Sequence, residues 1–495
     1  MNDMIQSHRD AAEIPGLLGA LHARGGRMQM AYAWHPGPDR TEVRYLVGAG
    51  AGEPFNIWSV DASSGSLPSL AGESPLLGWY EREISDLFGT EFVGHPEPKR
   101  LVLHDGAIMP CPPMRADYPA GHELELVGHM GGMPEITGPD VQRLPWGPVR
   151  ADVVESGEFI FYYIGEHILH LHTQLFFKHR GMEARFSGLT PMAGVVLAER
   201  VSAVGSFSHA LAFCQAVEHA SQSAVPARAK MLRVLLAELE RLYNHLHYLG
   251  ALAETTTLKV GAAEGKLLEE RAKQLNARVT GSRFLRNVLA PGGMRRDLDP
   301  GTWLGEELER LREEIAKYVA LLGRTNSYRD RLMTTGVLPY KIAFEQGATG
   351  PVKRASGIER DLRHDHVYAG YGDLPLAIPV KTDGDAQARQ QVRIAEIDAS
   401  LVLMQRVLLL LEPGEVRASC VPPPGSEGVG WVENPRGSLF YAVHFDTAGR
   451  FTRVKIKSPS FSNWRVFPFT VHDSNMMDYA INEASFGLTI AGCDR

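Results

Sequence analysis

Thiols are scarce in this chain. It has four cysteines in 495 residues, Cys111, Cys214, Cys420 and Cys493, and they lie far apart. No C-x-x-C pair occurs and no spacing suggests a disulfide framework. That pattern fits a reducing cytoplasm and leaves no cysteine set able to hold an iron–sulfur cluster. Long apolar runs are missing too. The strongest candidate, residues 401–411, is interrupted by Gln405 and Arg406 and falls short of the ~20 apolar residues a span requires; it reads as a buried helix. Residues 1–16 lack the apolar core of a signal peptide. There is no basic excess: 51 Lys and Arg face 58 Asp and Glu, a net charge of -7. This argues against nucleic acid as the main partner, because phosphate binding wants a basic face. The remainder is ordinary, 44% hydrophobic and 22% charged, enough for a large core and roughly two to four domains.

Residues 28–47 and 56–60 read as strands between Gly and Pro breaks. A helix follows near residues 78–89, with Trp79, Ile84, Leu87 and Phe88 on its apolar face. Glu81, Arg82, Glu83 and Asp86 make the other face, which by pattern alone is a solvated one. Gly89 ends the helix. His95 has no His or Cys at ligand spacing and is assigned a structural role. Residues 121–146, rich in Gly, Pro and Met, read as a linker. Residues 147–172 read as a β-hairpin or small meander turning at Gly165-Glu166. Its His167, His170 and His172 have no acid or cysteine nearby, so a strand docked on neighbours is favoured over a metal site. From 195 to 412 the chain is mostly helical, with long helices expected over 229–252, 263–280, 303–332 and 384–411. A final hairpin is expected from 439–445 and 451–456.

Several polar strings stand out. FFKHRGMEAR, residues 176–185, carries His179, Arg180, Glu183 and Arg185, too polar for a core strand. LAERVSAVGSFSHALAFCQAVE, residues 197–218, reads as a helix begun from a Gly/Ser turn. TGPVKRASGIERDLR, residues 349–363, reads as a rigid loop with inward-facing polar groups, Arg354 among them.

These strings resemble two related families. HRG-x-E followed by ERV-x-x-x-x-S-F-x-H-A-L-A-x-C is similar to the large subunit of membrane-bound [NiFe] hydrogenases of the hydrogenase-4 and formate-hydrogenlyase type. It is equally similar to the forty-nine-kilodalton subunit of respiratory complex I. GWYEREISDLFGTEFVGHP with the later PMRADYP resembles the thirty-kilodalton subunit of complex I. The resemblance implies an α+β fold. Residues 1–120 would form an α+β docking domain like the thirty-kilodalton subunit, residues 121–146 a linker, and residues 147–495 a mainly helical large-subunit domain with small β elements. It also implies that the first unit folds independently and binds partners.

The same resemblance locates a metal site and then empties it of ligands. The nickel-binding cysteines of the hydrogenases fall at Ser202 and Gly205, and at Thr489 and Gly492. Cys493 is one residue out of register. The quinone-contacting tyrosine of complex I falls at Ala203, and its quinone-contacting histidine at Arg150. The expectation is a small-walled cavity lined by Ser202, Ala203, Gly205, Thr489 and Gly492, bordered by Arg150 and Arg354 as catalytic candidates. The His179, Arg180 and Glu183 loop would face a partner's cluster. No metal is expected in the chain, since Ser, Thr and Gly cannot replace thiolates at nickel. The first functional reading is an oxidoreductase subunit transferring electrons to a quinone or related acceptor. Its electrons would come from an Fe–S small subunit like the twenty-kilodalton subunit of complex I. The second is a non-catalytic scaffold coupled to membrane ion-translocating, antiporter-like subunits. An active [NiFe] hydrogenase is the least supported. Each reading places the chain peripherally, on the cytoplasmic side of the membrane.

Overall fold

The computed structural model describes residues 5–37, 40–115, 117–119, 121–122, 125–127, 136–150 and 155–495. The chain begins with a four-stranded sheet built from β1 (Ile5–Arg9), β2 (Arg27–Gly37), β3 (Arg40–Gly48) and β4 (Phe55–Asp61), in the order β1-β4-β3-β2. Helix α1 (Ile14–Ala23) buries Ile14, Leu18 and Leu21, which share one helical face. Helix α2 (Gly78–Phe88) stops at Gly89, whose φ of 82° is the left-handed conformation that suits glycine. In β3 every residue from Glu42 to Gly48 is buried, so both faces of the sheet are covered. The later part of the chain supplies the second cover. Phe55 stacks on His366 at 4.0 Å and meets Trp431 and Phe440 edge-on, and Trp34 stacks on His444 at 4.4 Å.

A three-stranded antiparallel sheet follows: β5 (Gln142–Trp146), β6 (Glu158–Ile164) and β7 (His167–Gln174), with the turn at Gly165-Glu166. The expected linker overlaps β5, and part of it lies outside the described residues. Among the described residues no cluster of His, Cys, Asp or Glu could hold a metal; His170 instead packs at 5.0 Å from the ring of His472.

Helices α3 (Ser206–Ala220), α4 (Ala227–Thr255), α5 (Lys259–Thr280), α6 (Gly301–Arg324), α7 (Asn326–Leu332) and α8 (Ala386–Leu410) make the helical body. One long helix was expected over 303–332; the structure has two. Thr325 leaves the helix with an extended backbone and donates its hydroxyl to Leu321 O at 2.9 Å, so the break falls where a Thr-Asn-Ser run competes for backbone groups. A last antiparallel sheet, β8 (Glu427–Asn434), β9 (Gly437–Phe445) and β10 (Phe451–Lys457), lies against α3. Gly428 and Gly430 allow this approach, because a Cβ at either would come within 2.1 Å of the carbonyl oxygens of Ala216 and Ala212. The chain finishes with α9 (Pro459–Val466), α10 (Tyr479–Phe486) and α11 (Ile490–Asp494). No described helix is long and apolar enough to cross a membrane.

The charged face of α2 is not solvated. Glu81 and Glu83 are buried. Asp86 accepts the N–H groups of Leu101, Val102 and Leu103, and Arg82 donates to the carbonyls of Lys99 and Arg100. Glu83 reaches into the later part of the chain, pairing with Lys455 at 2.6 Å and Arg495 at 2.9 Å. Glu183 joins the same cluster through Arg453, Lys455 and Arg495 at 2.7, 3.2 and 3.0 Å. Burial alone would push the Glu183 carboxyl up; the three cations hold it well below the usual carboxylate range. One continuous apolar core runs from Ile14 to Cys493. The first 120 residues therefore share their packing with the rest.

Glu83→Ala leaves two buried cations short of a partner. We expect a loss of about 3 kcal/mol in urea unfolding of the full chain, against less than about 0.5 kcal/mol for Glu97→Ala at the exposed end of α2's contacts. Equal effects from the two substitutions would refute the buried-pair account.

Candidate active site

The four positions aligned with nickel ligands come together. Ser202 immediately precedes the short turn leading into α3, and Gly205 ends that turn directly before the helix. Thr489 caps α11, its hydroxyl accepting Gly492 N–H at 3.2 Å. All four line one cavity of about 10 Å³, shared with His209, Asn434, Arg436 and Ser460. This is room for one water-sized occupant. The two glycines are crowded: a Cβ on Gly205 would lie 2.6 Å from Asn434 Nδ2, and one on Gly492 2.5 Å from Thr489 Oγ1. Neighbouring side chains thus fill the space beside both glycines. The hydroxyls of Ser460 and Thr489 meet at 3.3 Å across it.

Ala203 does not line the cavity. It opens the short turn before Gly205 and its side chain is exposed. Arg354 does not point into it either. Its guanidinium, fully buried, binds Glu396, Glu433 (2.9 Å) and Asp361 (3.2 Å), inside a network that also joins Arg241, Arg363, Glu238 and His245. Arg150 is committed elsewhere as well. It grips Glu483 of α10 with both terminal nitrogens, at 3.2 and 3.1 Å, and lies 4.0 Å over the ring of Trp146. Neither arginine is among the lining residues.

The HRGMEAR loop works as a brace. Arg180 donates to the carbonyls of Arg200 (3.1 Å) and Val201 (2.7 Å) on one side of the cavity, and of Ala491 (3.1 Å) on the other. His179 Nδ1 donates to Asp494 O at 2.7 Å, and Glu183 is spent on the buried cluster described above. Cys493 is buried in α11 and does not line the cavity.

The sequence reading did not name Asn434, Arg436, His209 or Ser460. His209 lies in the S-F-x-H-A-L-A string quoted above, but only the fold shows that these residues face Ser202 and Thr489. Arg436 donates to Asn244 Oδ1 and Gly487 O, both at 2.7 Å. Burial pulls its guanidinium down to about 10, with the nearby Tyr243 opposing. His209 lies 2.8 Å from the Tyr441 hydroxyl, and burial lowers its imidazole to about 3, so it is neutral at physiological pH. Glu240 receives the N–H groups of Phe207 and Ser208 at the start of α3 (2.8 and 3.0 Å), and burial pushes its carboxyl up to about 7. The wall offers hydroxyls, amides and one cation. It offers no thiolate, and the soft ligand set that nickel and iron need does not fit these residues.

Taken together, a helical large-subunit body, a β-rich leading unit and a converged four-position cavity define the class of the [NiFe] hydrogenase large subunits and their respiratory counterparts. Family models agree. The respiratory-chain NADH dehydrogenase 49 kDa subunit matches residues 267–423 and 415–495, the 30 kDa subunit matches 16–123, and the nickel-dependent hydrogenases match 180–279. Formate hydrogenlyase subunit 5 of Escherichia coli is 30% identical over 85% of this chain and 75% of its own length. NADH-quinone oxidoreductase subunit 4 of Thermus thermophilus is 31% identical over 67% of this chain and 88% of its own. A chain from the structure of the membrane-bound sulfane sulfur reductase, an archaeal respiratory membrane complex, superposes with a TM-score of 0.68 at 26% identity. The match covers 73% of this chain and 100% of that one. The protein belongs to the family of fused complex I 30 kDa–49 kDa subunits and [NiFe] hydrogenase large subunits, with relatives of the hydrogenase-4 and formate-hydrogenlyase type. It is a subunit of a membrane-associated respiratory oxidoreductase of that kind.

Glu240 gives a pH signature. Its folded pKa, about 7, exceeds the unfolded value, so the folded state holds the extra proton. The associated stability is complete below about pH 4.5 and is lost as pH rises through 7. We expect wild-type stability to fall across that window, and Glu240→Gln to remove a share on the order of 2–3 kcal/mol from the slope, leaving the part due to Asp494 and Glu81, which burial also raises to about 7. Urea midpoints between pH 4.5 and 7.5 measure it; parallel slopes for the two proteins would contradict the assignment.

Proposed function

We propose that this subunit works without a [NiFe] centre, as the scaffold and coupling core of its complex. It would seat an Fe–S partner subunit and pass conformational change to ion-translocating membrane subunits, from a peripheral position on the cytoplasmic side. The observation that carries this reading is the cavity: the four ligand positions converge, offer no thiolate, and leave space for a single water. A quinone headgroup does not fit there, and Arg150 and Arg354 are held in ion pairs instead of facing it. The brace made by Arg180 and the buried cluster on Glu183 also suit a part whose task is to hold shape.

A second reading, reduction of a quinone or related acceptor at this cavity, rests on Arg436. It is a cation in the wall that could stabilise a reduced, negatively charged intermediate once the walls part.

In the purified complex, nickel should be far below one per chain, with iron and sulfide supplied by partners, and hydrogen uptake should be absent; stoichiometric nickel with hydrogen uptake would end both readings. Ser202→Val fills the remaining space. If the scaffold reading holds, the assembled variant retains wild-type electron transfer to its acceptor. A loss of tenfold or more in turnover, with assembly intact, would favour acceptor reduction at the cavity.

A further inference from the structure

The seam between the first sheet and the helical body holds a second small cavity, also of about 10 Å³, with no part in the site above. It is lined by Arg27 of β2, Tyr80 of α2, Lys457 at the end of β10, and Ser462 and Arg465 of α9. Arg27 and Lys457 are 5% and 2% exposed. Two arginines and a lysine thus surround a space for one small occupant. Burial, with Arg27 and Lys353 close by, pushes the Lys457 ammonium well below the usual lysine range, so its charge is costly there without an anion. Among the described residues none of the three pairs with a carboxylate. Arg27 donates to Ala348 O at 3.3 Å, Lys457 to Ser438 O and Oγ at 2.9 and 2.6 Å, and Arg465 to Pro75 O and to Gln346 Oε1 at 2.9 Å. The Arg27 Nε–H is buried with no partner at all.

Elsewhere this chain answers most buried cations with carboxylates: Arg233 has Glu218, Arg363 has Asp361 and Glu238, Arg495 has Glu83 and Glu183. Arg389 and Arg393 lack one, but each is surrounded by carbonyl or hydroxyl acceptors. The seam differs because several cations share one cavity and a donor is left over. Glu433 acts on both Arg27 and Lys457, and Asp365 acts on Arg27; the Glu433 carboxylate is already bound by Arg354 at 2.9 Å, and Asp365 lies 2.9 Å from His364. Arg360 adds further positive charge to the region, as does Lys353 in part, since burial pulls its ammonium down to about 7. Burying like charges without a counter-charge is costly, and the energy is recovered only by an anion or by loss of a proton.

We propose that this cavity is an anion site holding one halide-sized monovalent ion, chloride under ordinary conditions, between Arg27, Lys457 and Arg465. A cavity of about 10 Å³ favours a monatomic ion over sulfate, phosphate or a carboxylate. The ion would neutralise the seam and tie β2 of the leading sheet to β10 and α9 of the helical body, so halide would stabilise the fused chain as a whole.

The test uses the full chain, compared in sodium chloride, sodium bromide and sodium gluconate at matched ionic strength, with crystals grown in bromide. We expect the Tm to rise by about 3 °C at saturating halide relative to gluconate. Anomalous scattering from bromide should appear in the cavity beside Arg27 and Lys457. Lys457→Met should raise the half-saturating halide concentration at least tenfold. Should that variant fail to fold, the wild-type salt comparison and the anomalous map decide the matter. Identical Tm values in halide and gluconate, or bromide-grown crystals with only water in the cavity, would overturn the proposal.

Discussion

Two carboxylates and three cations, Glu83 and Glu183 with Arg453, Lys455 and Arg495, are buried where four separate stretches of chain cross. Glu83 comes from the leading unit, Glu183 from the HRGMEAR loop, Arg453 and Lys455 from β10, and Arg495 from the segment following α11. Each charge in such a cluster is tolerable only while the others are present, because an unpaired ion in that environment carries a desolvation cost of several kcal/mol. The cluster therefore acts as a register lock. It sets α11 against the loop and against β10, and Thr489 and Gly492 reach Ser202 and Gly205 because of that placement. Arg180 completes the arrangement by donating to carbonyls on both sides of the cavity.

The four positions converge around one cavity although none of them carries a thiolate. Four thiolates and a metal would cross-link the turn before α3 to α11. Here the Arg180 brace makes that connection with weaker contacts, while the Ser460–Thr489 hydroxyl pair ties α11 to α9 and the Thr489 cap closes α11 itself. Glycine at two of the four positions lets Asn434 and Thr489 move into the space, since any Cβ there would collide with them. The result is a packed junction with a neutral histidine and one committed arginine in its walls.

A second buried network, around Arg354, Arg363, Arg241, Glu238, Glu396, Asp361 and Glu433, binds α4, α8 and β8 together. Such networks are not obvious sources of net stability, since an apolar replacement can be as good. They do demand one arrangement, because each hydrogen bond satisfies a particular partner. A body made rigid in this way can transmit a push from one side to the other, which is the property a coupling subunit needs.

The sequence by itself determined most of the elements and the family, though not the helix break at Thr325 or the strand within the expected linker. Leucine spacing in residues 229–252 set the register of α4, Gly89 marked the end of α2, Gly165-Glu166 marked the hairpin turn, and the absence of C-x-x-C pairs settled which ligands the four positions could offer. These are local or compositional properties, legible without knowing what lies opposite. Only the tertiary structure decided where polar side chains are spent. A charged stripe on α2 looks the same whether water or Lys455 and Arg495 face it, and Arg354 reads the same whether it meets a cavity or three carboxylates. Partners hundreds of residues away, such as Glu83 and Arg495, leave no periodic trace in one sequence, because an ion pair needs only opposite charge and proximity, and proximity exists only after the chain has folded.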